Sequence, residues 1–140
     1  MNLYVLDTDH VSLFQRGHPH IVVKILATPP NFLAVTIITV EEQLRGRLNQ
    51  VRKARSGIDQ VQSYTQLHKT LQYFARIRVL DYDTGADVRY QALRQQQIRI
   101  GTQDLRIASI ALSTNAIFVT RNQRDFGKIP DLSIEDWSGF

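Results

Sequence analysis

Apolar residues are concentrated in four short runs, each with no more than one polar residue, and the stretches between these runs carry apolar residues at helical spacing. Nearly continuous apolar runs are typical of strands that a parallel sheet buries on both faces. We predict strands at residues 3–6, 32–37, 78–80 and 116–120, with an edge strand around Ile134. Each interval between runs is long enough for the helical crossover that two parallel neighbours require.

Polar and turn-forming residues divide those intervals into pairs of helices. The predicted helices run from Thr8 or Asp9 to about Gly17 and over residues 21–26, 39–55, 58–74, 86–97 and 102–113. Strands that alternate with helices predict an α/β fold, with a mainly parallel sheet of four to five strands and helices on both faces. We expect residues 1–140 to form a single domain, with a projecting helical hairpin at about 40–76.

The segment from Ile100 to Phe126 has the strongest pattern in the chain, a nearly all-apolar helix followed by an apolar strand. Thr102 is the predicted N-cap of this helix, and Asp104 falls in its first turn. Asp104 shares a row with Ile107 and Ala111, so its side chain should face the packed side. An unpaired buried charge costs several kcal/mol, roughly, unless a helix terminus or a metal ion compensates it.

The composition is that of a basic globular protein. The 140 residues include 17 Lys and Arg against 13 Asp and Glu, for a formal charge of +4 and a pI of about 9.7. Only four of the basic residues are lysine. Arginine forks match phosphate oxygens, so this bias suits a nucleic acid, although it also suits an acidic protein partner.

Several classes of protein are excluded or disfavoured by what the sequence lacks. The absence of cysteine excludes disulfides, thiolate metal sites and cysteine nucleophiles. No run of apolar residues is long enough to span a membrane. The first residues carry acids rather than the basic start of a signal peptide, so we expect a cytoplasmic protein.

Acidic residues recur where predicted strands end or predicted helices begin. They are Asp7, Asp9, Glu41, Glu42, Asp81, Asp83, Asp104 and Asp125. Because parallel strands end at one edge of the sheet, we expect Asp7, Glu42 and Asp125 to share that edge and Asp104 to face it. Crowded carboxylates repel each other, and a hard cation such as Mg²⁺ relieves the repulsion and can activate water against a phosphodiester. The alternative is that each acid only caps a helix.

Four segments resemble, in order, the motifs of one family. They are Leu6–Asp9 (LDTD), Thr39–Gly46 (TVEEQLRG), Gly101–Ala108 (GTQDLRIA) and Val119–Phe126 (VTRNQRDF). These segments resemble the motifs of PIN-domain ribonucleases, and most closely those of the VapC toxins of type II toxin–antitoxin systems. The segment Ile129–Trp137 is similar to the tail of that group, so the resemblance covers nearly the whole chain.

The resemblance implies a three-layer α/β/α sandwich and RNA cleavage that depends on Mg²⁺ or Mn²⁺. It also implies a homodimer and a cognate antitoxin whose segment lies across the active site. The substrate class is RNA, with tRNA as a candidate.

The resemblance also implies roles for individual residues. Asp7 and Asp104 correspond to the metal-binding acids. Glu42 is chosen over Glu41 because the family's glutamate stands four residues before a glycine, here Gly46, although helical periodicity would bring Glu41 nearer the apolar stripe. The fourth acidic position is divided between an asparagine and an aspartate three residues later. The candidate catalytic set is Asp7, Glu42, Asp104, Asn122 and Asp125, and the candidate metal ligands are Asp7, Glu42, Asp104 and Asp125.

Two other functions fit parts of the sequence. The segment DTDHV, which begins at Asp7, fits the short pattern of haloacid-dehalogenase phosphatases, in which the first aspartate is the nucleophile. The fold could also be a module that binds RNA or a protein without cleaving. Arg45, Arg121 and Arg124 are candidate RNA contacts, and the four histidines have no metal-ligand spacing, which favours surface or capping roles for them.

Overall fold

The computed structural model describes residues 2–139 and has an α/β architecture built on a five-stranded parallel sheet. The strands are β1 (Tyr4–Leu6), β2 (Leu33–Thr36), β3 (Arg78–Leu80), β4 (Ile117–Val119) and β5 (Ser133–Glu135). The helices are α1 (Thr8–Gln15), α2 (Pro19–Ala27), α3 (Ile37–Lys53), α4 (Gly57–Ala75), α5 (Thr84–Gln95), α6 (Thr102–Ser113) and α7 (Gln123–Phe126), with a 3₁₀ turn at Pro30–Phe32. The predicted fold class, including the edge strand at Ile134, is confirmed.

The sheet order is β3-β2-β1-β4-β5, so β1 is the central strand. Tyr4 pairs with Leu33 on one side and with Ile117 on the other, and both pairings are parallel. The carboxyl ends of all five strands therefore lie at one edge of the sheet. The segments that follow β1 and β4 meet at that edge.

Alternate residues of each strand face opposite layers of helices. Val5, Ala34 and Phe118 belong to a core shared with α5, α6 and the start of α3. Their neighbours Leu6, Val35 and Val119 belong to a second core shared with α1, α2 and the end of α4. Both faces of the sheet are covered, which explains why β1, β2 and β4 read as nearly continuous apolar runs.

Three helix starts differ from the predicted ones. Asp7, not Thr8 or Asp9, is the N-cap of α1, and Thr36 caps α3 three residues before the expected start. Consequently the first turn of α3 contains no acidic residue. The N-cap of α6 is Gly101 rather than Thr102, and no side chain caps this helix. In each case the N-cap has an extended backbone and stands just before the first helical residue. The apolar pattern marks only the helical residues, so it does not locate the cap.

Helices α3 and α4 pack against each other beyond the sheet. Arg47 Nε donates to Thr70 Oγ1 at 3.0 Å, and Ser63 Oγ donates to the carbonyl of Gln50 at 3.4 Å. Within residues 2–139, no helix combines the length and the apolar character needed to cross a membrane.

Replacing Phe118 by alanine should destabilise the protein strongly. Phe118 is fully buried at the middle of β4 and packs on Phe126, with 4.6 Å between the ring centroids. Truncating a buried phenylalanine to alanine typically costs about 3–5 kcal/mol. Urea unfolding of Phe118→Ala measures the loss. Val23→Ala, at a site 67% exposed, is the control and should change stability by no more than about 0.5 kcal/mol. Equal losses for the two variants would contradict the core described above.

Candidate active site

Asp7 stands directly after the central strand, and both of its carboxylate oxygens accept hydrogen bonds. Oδ1 accepts from the backbone N–H of Thr8 at 2.8 Å, and Oδ2 accepts from the hydroxyl of Thr120 at 2.7 Å. Only 7% of Asp7 is exposed. Burial, and secondarily the charge of Asp9, raises the pKa of Asp7 to about 7. Neutral donors therefore hold the Asp7 side chain in place, and its pKa lies close to neutral pH.

Glu42 reaches the same edge from the second turn of α3. Its Oε1 accepts from the Thr8 hydroxyl at 3.2 Å, and that hydroxyl also lies 3.2 Å from Thr39 Oγ1. Burial raises the pKa of Glu42, and the charge of Asp104 raises it further. The periodicity argument for Glu41 is wrong, because Glu41 is exposed while Glu42 is half-buried.

Asp104 lies in the first turn of α6, as predicted, and is half-buried. Burial raises the pKa of Asp104, and the charges of Asp125 and Asp9 raise it further. Asp104 in turn contributes to the raised pKa of Asp7 and of Glu42. Asp104 is therefore the acid that links the others electrostatically at this edge of the sheet: it acts on Asp7 and Glu42, and Asp125 acts on it.

Asn122 and Asp125 form the short turn after β4. The Asn122 amide oxygen accepts from the Asp125 N–H at 3.3 Å and so caps α7, while its amide nitrogen donates to Asp125 Oδ2 at 3.1 Å. The Asn122 N–H donates to Thr120 Oγ1 at 3.0 Å. The two candidates for the fourth acidic position are thus hydrogen-bonded to each other. Asp125 supplies the carboxylate, and Asn122 fixes its orientation.

The three candidate arginines lie in different surroundings. Arg45 pairs with Glu41 at 2.9 Å between Nη2 and Oε2, and both side chains are largely exposed. Hydrogen bonds from Ser138 lower the pKa of Asp136, and the charge of Arg121 helps to lower it further. Arg124 is exposed on α7. None of the three is described in an ion pair with Asp7, Glu42 or Asp104 among residues 2–139.

Sequence reasoning gave less weight to residues that organise the site. Thr8 and Thr120 hold Glu42 and Asp7, and Asp9 is a further charge acting on Asp7 and Asp104. Two features of the sequence could have indicated this: Thr8 directly follows the first aspartate, and Thr120 directly follows the fourth strand. The expected surface or capping role of His10 is wrong, since its side chain is completely buried, whereas His18 does cap α2.

The donor chemistry of this edge suits a hard divalent cation. Carboxylate and amide oxygens are the ligands that Mg²⁺ prefers, and the raised pKa values reflect repulsion and desolvation that a cation would relieve. In the part of the chain that the structure describes, no three acidic or histidine side chains converge closely enough to hold a metal ion by themselves. The fit to Mg²⁺ lies in the oxygen donors alone, since this ion commonly keeps several waters and uses one or two carboxylates.

Residues 4–132 match the family model described as "PIN domain". Two curated relatives are similar in sequence. Ribonuclease VapC2 of Rickettsia felis is 30% identical over 142 residues, covering 96% of this chain and 98% of the relative. The tRNA(fMet)-specific endonuclease VapC of Salmonella typhimurium is 41% identical over 69 residues, covering 46% of this chain and 52% of the relative. Among solved structures, DNA-bound VapBC from Salmonella typhimurium is similar, with a TM-score of 0.78 and 27% identity over 98% of this chain and 99% of that chain.

Metal-free protein should lose stability as pH rises toward neutrality. The folded state keeps the Asp7 proton up to a pKa of about 7, whereas the unfolded chain releases it near pH 3.8. Between these values the folded state binds more protons, so stability falls with rising pH and levels off above the folded pKa, by about 4 kcal/mol for this group. Asp7→Asn should flatten the slope in urea unfolding measured with EDTA from about pH 5 to about pH 8.

The matched control is Asp131→Asn. Asp131 is exposed and has a φ of 67°, a conformation that asparagine adopts readily. This variant should keep the wild-type slope. A wild-type slope in Asp7→Asn would contradict the raised pKa of Asp7.

Proposed function

The chain belongs to the PIN-domain family, and we propose that it is a divalent-metal-dependent endoribonuclease that acts as the toxin of a toxin–antitoxin pair. The observation that carries the proposal is the crowding of carboxylates around Asp104. Burial raises the pKa of Asp7, Glu42 and Asp104; the charge of Asp104 adds to this at Asp7 and Glu42, and the charge of Asp125 adds to it at Asp104. Such crowding costs folding free energy and is offset when a cation binds. Relatives named ribonuclease and endonuclease support RNA as the substrate.

The proposed roles follow from how each side chain is held. A bound Mg²⁺ or Mn²⁺ would supply a nucleophilic water at neutral pH and stabilise charge on the phosphate. Asp7 and Asp104 would ligate the ion, while Glu42 and Asp125 would ligate it or orient the attacking water. Asn122 would keep Asp125 in position through the hydrogen bond between their side chains.

A groove along α3 offers a route for the RNA strand toward these acids. Its volume is about 630 Å³. It is lined by Glu41, Leu44, Arg45, Leu48, Asn49 and Arg52. Arg45 and Arg52 lie two turns apart on the helix and could contact phosphates, and the two leucines could contact bases. Arg121 and Arg124 stand at the carboxyl edge of the sheet and would contact phosphates next to the scissile bond.

The proposal includes partners and a location. Solved structures similar to this chain are VapBC assemblies, one of them from Salmonella typhimurium and bound to DNA. We propose a cognate antitoxin and a homodimeric toxin for this chain as well, in the cytoplasm, with tRNA as the first substrate to test. The relative named for tRNA(fMet), which matches 46% of this chain, supports that choice.

A phosphatase that uses Asp7 as its nucleophile is a weaker candidate. In that pattern the second aspartate must be available to the substrate, but both oxygens of Asp9 already accept hydrogen bonds, from His10 and from the Arg121 N–H. The non-catalytic binding module is an outcome that the following experiment decides.

Purified protein, freed of any bound partner, should cut a tRNA pool at discrete positions with Mg²⁺ or Mn²⁺ and not with EDTA. Asp7→Asn and Asp104→Asn should each lower the rate by at least about 100-fold, because a neutral amide binds a hard cation weakly. The measurement is the initial rate of cleavage on a denaturing gel.

Asp131→Asn is the control in this assay too and should cleave at the wild-type rate. Full activity in Asp104→Asn would remove the role proposed for that residue. No cleavage of any RNA, together with no thermal stabilisation by Mn²⁺ that depends on Asp7, would favour the binding module. Hydrolysis of a small phosphomonoester would favour the phosphatase.

Neutralising one phosphate-contacting arginine should lower the salt dependence of RNA binding. Arg124→Gln should weaken binding of a non-cleavable RNA and reduce the slope of log Kd against log salt by about 0.7, the loss of one single-strand phosphate contact. Arg76→Gln is the control, because Arg76 is exposed just before the amino end of β3, away from the carboxyl ends of the strands where the acids lie. Equal changes for both variants would indicate that only net charge matters.

A further inference from the structure

His10 is completely buried in α1, and both of its ring nitrogens are hydrogen-bonded. Nε2 lies 3.1 Å from the backbone nitrogen of Trp137, which can only donate, so Nε2 is the acceptor. Nδ1 therefore carries the proton of the neutral ring and donates to Asp9 Oδ1 at 2.8 Å. A single side chain thus connects the start of α1 to the segment that follows β5.

Asp9 extends this connection to the end of β4. Its second oxygen, Oδ2, accepts from the Arg121 N–H at 3.1 Å. Both oxygens of Asp9 are thereby used within the protein. Asp9 lies at the acidic edge, but its hydrogen bonds make it a connector between segments.

Arg121 is the middle residue of a turn that holds the site together. On one side of it, the Thr120 hydroxyl donates to Asp7 Oδ2 at 2.7 Å. On the other side, the Asn122 N–H donates to Thr120 Oγ1 at 3.0 Å. The Asn122 side chain caps α7 and donates to the Asp125 carboxylate. Any displacement of Arg121 therefore moves the donor to Asp7 and the cap that positions Asp125.

The segment after β5 is fixed at several points to the same region. The Thr120 N–H donates to the carbonyl of Glu135 at 2.9 Å, and the indole N–H of Trp137 donates to Glu135 Oε1 at 3.0 Å. The Trp137 ring packs on Tyr4 of the central strand, with 5.2 Å between centroids. Trp137 is 4% exposed, so this segment is part of the core rather than a loose end.

We propose that His10 is a positioning residue that joins residues 135–137 to the turn at Arg121 through Asp9, and so fixes Thr120 and Asn122 against the acidic edge. The inference deepens the proposed function, because it assigns the connector a part in shaping that same site. The geometry requires a side chain that donates on one side and accepts on the other. A hydrophobic residue of similar volume would fill the space but leave Asp9 Oδ1 and the Trp137 N–H without their partner.

The first test follows the backbone of the turn in metal-free protein by amide hydrogen exchange. His10→Leu should speed exchange at the Arg121 and Asn122 amides by at least about tenfold, because their acceptors lose their fixed positions. Val11→Ala is the matched control, since Val11 is the next residue of α1, is also fully buried and belongs to no part of the site. It should lower global stability without selective loss of protection at these two amides.

A conservative variant separates the two halves of the connection. In His10→Asn the amide nitrogen takes the place of Nδ1 and can donate to Asp9, while the acceptor for Trp137 is lost. We expect protection at Arg121 to return and protection at Trp137 to fall. The emission of Trp137, the only tryptophan of the sequence, should shift to longer wavelength as its segment loosens.

The second test measures the site itself. Mn²⁺ titration by calorimetry should give about 10-fold weaker binding in His10→Leu, the range typical of residues that orient metal ligands, with wild-type affinity in Val11→Ala. In the tRNA assay, kcat should fall in His10→Leu while KM stays unchanged, and His10→Asn should recover most of the rate.

The outcomes separate this inference from the proposed function. Protection at Arg121 and Asn122 that stays at the wild-type level in His10→Leu overturns the inference, whatever the activity of the protein. Loss of protection with unchanged Mn²⁺ affinity also overturns it, because the turn would then not shape the site. A wild-type protein that binds no Mn²⁺ and cuts no RNA would refute the nuclease, and the connection between His10 and the turn would then be decided by hydrogen exchange alone.

Discussion

A carboxylate buried at the carboxyl end of the central strand requires hydrogen-bond donors from the segments around it. Asp7 obtains one from the first N–H of α1 and one from the hydroxyl that ends β4. The first bond fixes where α1 begins, and the second fixes the distance between β1 and the turn after β4. Because β1 lies between β2 and β4, Asp7 stands between the segment that leads to Glu42 and the turn that carries Asp125.

The donors around Asp7 are neutral, although the chain is rich in arginine. A guanidinium beside Asp7 would lower its pKa and occupy the lone pairs that a cation needs. The hydroxyls of Thr8 and Thr120 hold the carboxylates with neutral hydrogen bonds, which only partly offset the rise that burial causes in the pKa of Glu42 and Asp7. Arg45 is paired with Glu41, although its charge also lowers the pKa of Glu42. The edge around Asp7 therefore stays acidic in a protein of net charge +4.

The sequence was sufficient for the features that depend on local pattern. Covered parallel strands read as apolar runs, and the apolar row through Ile107 and Ala111 placed Asp104 on the packed side of α6. Features set by contacts between distant segments were not readable. Thr36 was missed as the cap of α3 for a local reason: it lies inside the apolar run that predicts β2, so the strand pattern concealed its hydrogen bond from the Thr39 N–H. The burial of His10 depends on a backbone N–H 127 residues away. Glu42 could be preferred to Glu41 only through a resemblance, since helical periodicity favoured Glu41.

The directions of the acids at this edge are set by neutral side chains. Thr120 donates to Asp7, Thr8 donates to Glu42, and Asn122 donates to Asp125. Burial raises the pKa of Asp7 and Glu42, and the charge of Asp104 raises both further. Without these hydrogen bonds, carboxylates that repel one another would turn apart toward water. An ion bound at this edge would therefore meet carboxylates whose directions the surrounding hydroxyl and amide groups already fix.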